Sequence, residues 1–432
     1  MSPTFKALAN RNYRRYAAGG VVSNTGTWMQ RVAQDWLVLQ LTAGSGVALG
    51  ITTGLQFLPF LLLSPVAGLV ADRIPKLRLL QITNLAMAVP ALLLGLLAVT
   101  GTAEIWHVYV LAAVLGTAAA FDAPARQSFV PELVSPSDVS NAVGLNSASF
   151  NAARIVGPAV AGLMIALLGG GAVGAGWVML LNAVSYAAPI LALRRIDRAR
   201  LDSPVPGDRE PGMIRTGVRY VRQRSDLLLI FAVVFVAGTF GLNFQMTSAL
   251  MATEVFGKGP TEYGLLGTFM AVGSLAGALL AARREAIRLR LVLGAALVFG
   301  AVEIAAGLMP TYLAYAALTP LLGISALTMI TSANAYVQLT TPAGLRGRVM
   351  AIYLMVFMGG TPLGSPVIGW VGEALGARWT LILGGLLTML GVAAAGAAYL
   401  WLRRPRPVSA SGAEAEPERT AHGDLVSGRL HA

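Results

Sequence analysis

Two charges inside an apolar segment set the problem. Residues 24–36 read NTGTWMQRVAQDW, within a run otherwise apolar from Tyr16 to Leu41. On a helix, Asn24, Trp28, Arg31 and Asp35 fall on one stripe, with Gln34 beside it. Ionised groups in such a segment are costly and persist where they face a partner or an aqueous path. As the wall of a solute pathway the stripe offers Trp28 as a stacking surface, Arg31 as a fixed cation and Asp35 as a carboxylate able to carry a proton. A plainer reading pairs Arg31 with Asp35 at i, i+4, near the outer rim. Arg154 lies mid-segment farther along, on a face with Ser147, Asn151 and Pro158. It either meets Asp35 across two neighbouring helices or bonds carbonyls freed by Pro158. Glu303 is another isolated charge, open to a packing role or a coupling role.

Composition states what solvent these segments meet. Of 432 residues, 56% are hydrophobic and 12% charged, and the mean hydropathy is +0.67. A soluble domain carries about 25% charged residues, so the deficit points to a membrane. There is no cysteine, and the three histidines (His107, His422, His431) are scattered. No disulfide, metal site or catalytic thiol is expected, and no cofactor. No Walker A sequence is present, so ATP does not drive this chain. Gly169, Gly171 and Gly174 satisfy GxGxxG, but no strand precedes them and a nucleotide site is not expected.

A helix needs about 20 apolar residues to cross about 30 Å of hydrocarbon. Twelve such spans are predicted at 16–41, 47–70, 79–100, 106–122, 139–168, 177–193, 227–252, 263–282, 289–309, 312–337, 348–371 and 379–402. The first is too long for a signal peptide and reads as a span. With loops assigned alternately, 28 of the 32 lysines and arginines gather on the side of the termini; Lys258 and Arg378 lie opposite. The positive-inside rule then places both termini in the cytoplasm. The net charge of +12 is thus an orientation signal, and no nucleic-acid partner is expected. The arginine bias suggests a bacterial, GC-rich source and hence a bacterial inner membrane.

The chain divides into residues 1–196, a basic linker at 197–225, residues 226–404 and a tail at 405–432 predicted to be disordered. AGLVADR at 67–73 and AGALLAARR at 276–284 match at an offset close to that between VSPSDVSNAV at 134–143 and TTPAGLRGRV at 340–349. The agreement suggests a parallel six-span repeat, typical of secondary transporters with a midplane site.

GLVADRIPKLRLL, 68–80, resembles motif A of the major facilitator superfamily: Gly68, Asp72, Arg73, Lys76 and Arg78 match, while Pro75 replaces the usual Gly and Leu77 a common basic residue. RIVGPAVAG resembles the superfamily's antiporter signature through Gly157, Pro158 and Gly162. FDAPARQSFVPELV, 121–134, resembles the loop after span 4 in the drug and siderophore exporter branch that includes the enterobactin exporter. Span 4 departs by lacking the embedded arginine of many drug–proton antiporters.

The resemblance implies an all-α membrane fold of twelve helices in two six-helix bundles, with span 1 lining the cavity and spans 3, 6, 9 and 12 peripheral. It implies a gate: Asp72 accepting from the N-terminus of span 11, and Arg73 or Arg78 pairing with Asp122, near Arg126. Gly68 would let a neighbouring helix approach closely. In span 11, Pro362, Gly364 and Pro366 would allow bending or tight contact. The expected activity is export of a hydrophobic or amphiphilic small molecule in exchange for protons, by a monomer in the lipid bilayer. A proton-coupled metabolite symporter is the rival within transport. A sensor or an intramembrane enzyme is the rival outside it, without an output domain or a nucleophile–base set to support it.

Overall fold

A computed structural model describes residues 3–201, 213–282 and 288–402. The whole tail at 405–432, and residues 202–212 of the linker, therefore fall outside the described residues. Within them the chain forms helices α1 (Arg11–Leu41), α2 (Gly46–Arg73), α3 (Lys76–Thr100), α4 (Ile105–Phe129), α5 (Val139–Leu167), α6 (Gly171–Ser185) and α7 (Ala187–Arg194). There follow α8 (Met213–Arg222), α9 (Ser225–Val236), α10 (Phe244–Leu250), α11 (Pro260–Ala282), α12 (Leu289–Gly307), α13 (Tyr312–Thr340), α14 (Ala343–Leu375) and α15 (Ala377–Leu402). No strand occurs among the described residues. That is what lipid demands, since a helix satisfies its backbone groups internally.

Among the described residues, eleven segments are long and apolar enough to cross a membrane. The expected twelfth is α1, with 31 residues; its polar stripe keeps it outside a count by composition. It also starts earlier than hydropathy suggests. Asn10 caps it, its side chain accepting from Asn12 N at 2.9 Å and Tyr13 N at 3.2 Å. The sixth span is α6 and α7 joined at Tyr186, and runs over Gly171–Arg194. The seventh, Ser225–Val255, is broken: π-helical turns at Ala237–Gly241 and Met251–Val255 flank α10. Such turns occur often at functional sites. The glycines of the discounted GxGxxG form the α5–α6 turn, where Gly169, Gly170 and Gly171 have φ of +99°, +61° and +50°.

The first and second halves meet along α2–α14 and α5–α11. Small residues make these contacts. Gly46 abuts the Gly369 carbonyl, Gly50 the Ser365 carbonyl, and Gly54 the Pro362 carbonyl. Gly162 lies on the Pro260 carbonyl, and Gly264 on the Pro158 carbonyl. Each site leaves little or no room for a Cβ, the geometry of close helix packing in lipid. All of these positions lie toward the bundle end opposite the termini, or midway along it. There Ser45 Oγ also donates to Glu373 Oε2 at 2.7 Å, and Val47 N to the same oxygen at 3.3 Å. At the terminal end, Gly68, Gly144, Gly344 and Gly347 have nothing within 4 Å of an added Cβ. The halves are closed at one end and parted at the other.

Candidate functional site

α1, α5, α10 and α11 surround a cavity of about 190 Å³ between the halves. From α1 come Trp28 and Arg31, three residues apart and so on one face. From α5 comes Arg154, one turn before Pro158; from α10, Phe244 and Gln245; from α11, Tyr263 and Met270. The break in the seventh span turns Leu242 and Phe244 into this space.

Trp28 is the organising ring. The Arg31 guanidinium carbon stands 4.7 Å from its centroid and 5.7 Å from that of Phe57, within cation–π range. Phe150 meets Trp28 edge-on at 5.7 Å between centroids. Gly157 makes this possible, because a side chain there would collide with the Trp28 Cβ. Asp35 sits one turn beyond Arg31 and is 6% exposed. Its Oδ2 accepts from the Tyr263 hydroxyl at 2.7 Å. That bond runs from the first half of the chain to the second, toward the closed end.

Several expected pairings are corrected. Asp35 forms no ion pair with Arg31 or Arg154 among the described residues; its Oδ2 accepts from Tyr263. Arg154 does not serve carbonyls near Pro158 through Nε or Nη2; both are buried without a partner. The nearby Ile155 carbonyl accepts from Thr268 Oγ1 at 2.6 Å. Asn151 turns away, donating to the Ser147 carbonyl of its own helix at 2.9 Å. Asn24 and Gln34 do not belong to the cavity wall. Glu303 is not part of its wall; it is 1% exposed, with Oε2 unpartnered and facing Gly241 and Oε1 facing Gly384.

The motif A region is likewise rearranged. Asp122 is held by Arg126 Nε at 2.8 Å and by Thr83 Oγ1 at 2.7 Å, not by Arg73 or Arg78. The i, i+4 partner on the same helix is simply nearer. Arg73, Arg78 and Asp72 are exposed, and Lys76 pairs with Glu132. Gly68 has no close neighbour in this conformation. Pro362, Gly364 and Pro366 do act in contact: Gly364 presses on the Thr239 carbonyl in the π-turn, and Pro366 on Gly50.

Two further cavities lie nearer the parted end, the smaller within the first half and the larger between α2, α4 and α14. One of about 60 Å³ shares Arg31 and includes Phe57 and Phe60. Another of about 340 Å³ shares Phe60 and reaches Ser64, Pro124, Gln127 and Met355. Sequence reasoning missed Tyr263, Gln245, Phe57 and Phe60. Each is an ordinary apolar-span residue whose role comes from what it faces. The one available signal was Gln245, a lone amide in an apolar run.

A bundle of membrane-length helices with a cavity between its halves is an architecture suited to moving a solute, and comparison with known proteins says which family it serves. The chain belongs to the transmembrane secretion effector family of the major facilitator superfamily, whose profile matches residues 2–422. It is 29% identical to the multidrug efflux pump Tap of Mycolicibacterium fortuitum over 390 residues, covering 87% of this chain and 92% of that one. It is 25% identical to the staphyloferrin A transporter of Staphylococcus aureus over 368 residues, covering 84% and 90%. Among solved structures, a bacterial homologue of the human lysosomal transporter Spinster, inward-facing and unoccupied, superposes with a TM-score of 0.69. It is 16% identical and covers 90% of this chain and 97% of its own. The protein is a multi-pass membrane transporter of small molecules with efflux pumps among its relatives.

Proposed function

We propose that this transporter exports a hydrophobic or amphiphilic small molecule across the bacterial inner membrane in exchange for protons. Residues 1–196 rock against 226–404 around the central cavity, and both termini are cytoplasmic. The parted end then faces the cytoplasm, and the conformation described is inward-open. Glu303 has no part in the cavity in this reading.

One observation carries it. The buried carboxylate of Asp35 beside the cavity has its hydrogen bond to Tyr263 on the opposite half. A hydrogen bond to a charged group contributes about 1.5–3 kcal/mol. Protonation of Asp35 weakens that tie, so proton occupancy and closure of the outer end are linked through one contact. Substrate arriving from the cytoplasm would meet Trp28 and Arg31 in the central cavity. The gating motif acts in the opposite state, when Gly68 and the basic residues around it close against α14.

The test is reconstitution in liposomes with an internal pH dye and an imposed proton gradient. Lipophilic cations, neutral drugs and catecholate siderophores are added in turn, with Asp35→Asn in parallel. Proton flux evoked by one compound class and lost in Asp35→Asn supports the reading. Substrate movement without proton movement overturns the exchange mechanism. Accumulation along the inward proton gradient reverses the direction and makes the protein a symporter.

A further inference from the structure

The central cavity carries an imbalance of charge. Its wall includes two guanidinium groups, Arg31 on α1 and Arg154 on α5, and no aspartate or glutamate. Neither arginine has an ion-pair partner within 4.0 Å among the described residues. The nearest carboxylate along the chain, Asp35, accepts from Tyr263 instead. Arg31 lies on the Trp28 and Phe57 rings. Arg154 has nothing comparable: Nε and Nη2 are shielded from solvent and unbonded. A buried charge without a partner is expensive, so a fold that keeps one at the rim of a cavity gains from whatever ligand pairs with it.

We infer that the transported molecule is an amphiphilic oxyanion, whose planar carboxylate or similar group is bound by Arg154 while Trp28 and Arg31 take its apolar or aromatic body. A guanidinium presents donors in a fixed fork that matches a carboxylate's two oxygens. The geometry fits in detail. Gln245 from α10 and Ser274 from α11 add neutral hydrogen-bonding groups to the same wall. Leu242, Phe244 and Met270 make the remainder apolar. A lipophilic cation would meet two positive groups in a low-dielectric space and no compensating carboxylate in the wall. The ligand would also touch both halves, α1 and α5 from one and α10 and α11 from the other, as a molecule that drives rocking must. This inference rests on the cavity being the substrate site, and it names the chemical class that the export reading leaves open.

The experiment is titration calorimetry on the purified full-length protein. The probes are aryl and alkyl carboxylates from benzoate and naphthylacetate to decanoate, each beside its primary amide and its ammonium analogue, and naphthalenesulfonate. Variants are Arg154→Gln, Arg154→Lys and, as a fold control, Arg290→Gln, which is exposed at the start of α12 and outside the cavity. Melting temperature reports folding of each.

The expected result is that at least one carboxylate binds roughly tenfold or more tighter than its amide, and that its ammonium analogue binds weakest. Arg154→Gln should reduce the carboxylate-to-amide ratio to near one, Arg154→Lys should retain part of it, and Arg290→Gln should leave it intact. Sulfonate binding as tight as carboxylate binding shows that the anion, rather than the planar fork, is read, and supports the class. Preference for the ammonium or amide member, equal binding of all three, or no binding of any carboxylate overturns the inference. So does a ratio unchanged in a folded Arg154→Gln. If carboxylates bind as stated but in the liposome assay enter along the proton gradient, the export reading fails while the inference stands. If cations alone are exported, the reverse holds.

Discussion

The tie between Asp35 and Tyr263 is a residue-scale device, and its removal should be felt as a shift between states. Tyr263→Phe deletes one hydroxyl from a buried side chain (2% exposed) and leaves its packing intact. The outer end should open more often. Ser248 lines the central cavity; in a Ser248→Cys background, labelling by a membrane-impermeant thiol reagent from outside should rise several-fold with Tyr263→Phe. Unchanged labelling would mean that the backbone contacts of α2 and α14 close that end without help. Glu303 gives a second prediction of this size. Its Oε2 has no partner, so Glu303→Gln loses no bond seen at that oxygen. The melting temperature should stay within about 2 °C, since a loss of about 1 kcal/mol moves it by a few degrees. Glu303→Lys, which forces a charge among Phe299 and tightly packed glycines, should abolish folded expression. Asp35 and Glu303 were both legible as isolated acids. That one faces a tyrosine on the other half and the other faces glycine was not, because both neighbours come from distant parts of the chain.

At the scale of elements, two glycines on the α2–α14 side make opposite predictions. Gly364 presses on the Thr239 carbonyl with no room for any side chain, whereas Gly68 has nothing within 4 Å. Gly364→Leu should therefore prevent accumulation of folded protein, by the mechanism that makes overpacked cores fail. Gly68→Leu should fold with an ordinary melting temperature and still stop transport, because its face must be approached only when the inner end closes. Normal transport by Gly68→Leu would remove motif A from the gating cycle. Fluorescence-detected gel filtration and the liposome assay together read both outcomes. The spans themselves could be seen in the sequence from hydropathy, and their ends less well. α1 begins at a polar cap that hydropathy does not register. The break in the seventh span has no proline to announce it, and arises where Gly238 and Gly241 pack against α14 and α12.

For the whole molecule, the closed end offers a direct test of rocking. Ser45 and Glu373 lie on opposite halves, joined at 2.7 Å, and the chain has no cysteine of its own. Ser45→Cys combined with Glu373→Cys should cross-link efficiently with a short thiol reagent and arrest transport. Cleavage of a reducible linker should restore it. Full activity while cross-linked would exclude opening at that end.

Composition and the order of apolar runs were enough to establish a helical membrane protein, and the placement of its arginines supplied an expectation for its orientation. Motif A placed it in a superfamily before any helix was packed. Those features are local or additive, so they survive in one dimension. Partner choice is neither. Thr83 on Asp122, Tyr263 rather than Arg154 on Asp35, and the unpaired guanidinium left over at Arg154 depend on helices separated by many residues coming within a few ångströms. Side chains that are equivalent in sequence compete for the same carboxylate, and only the packing of the two halves settles which one reaches it.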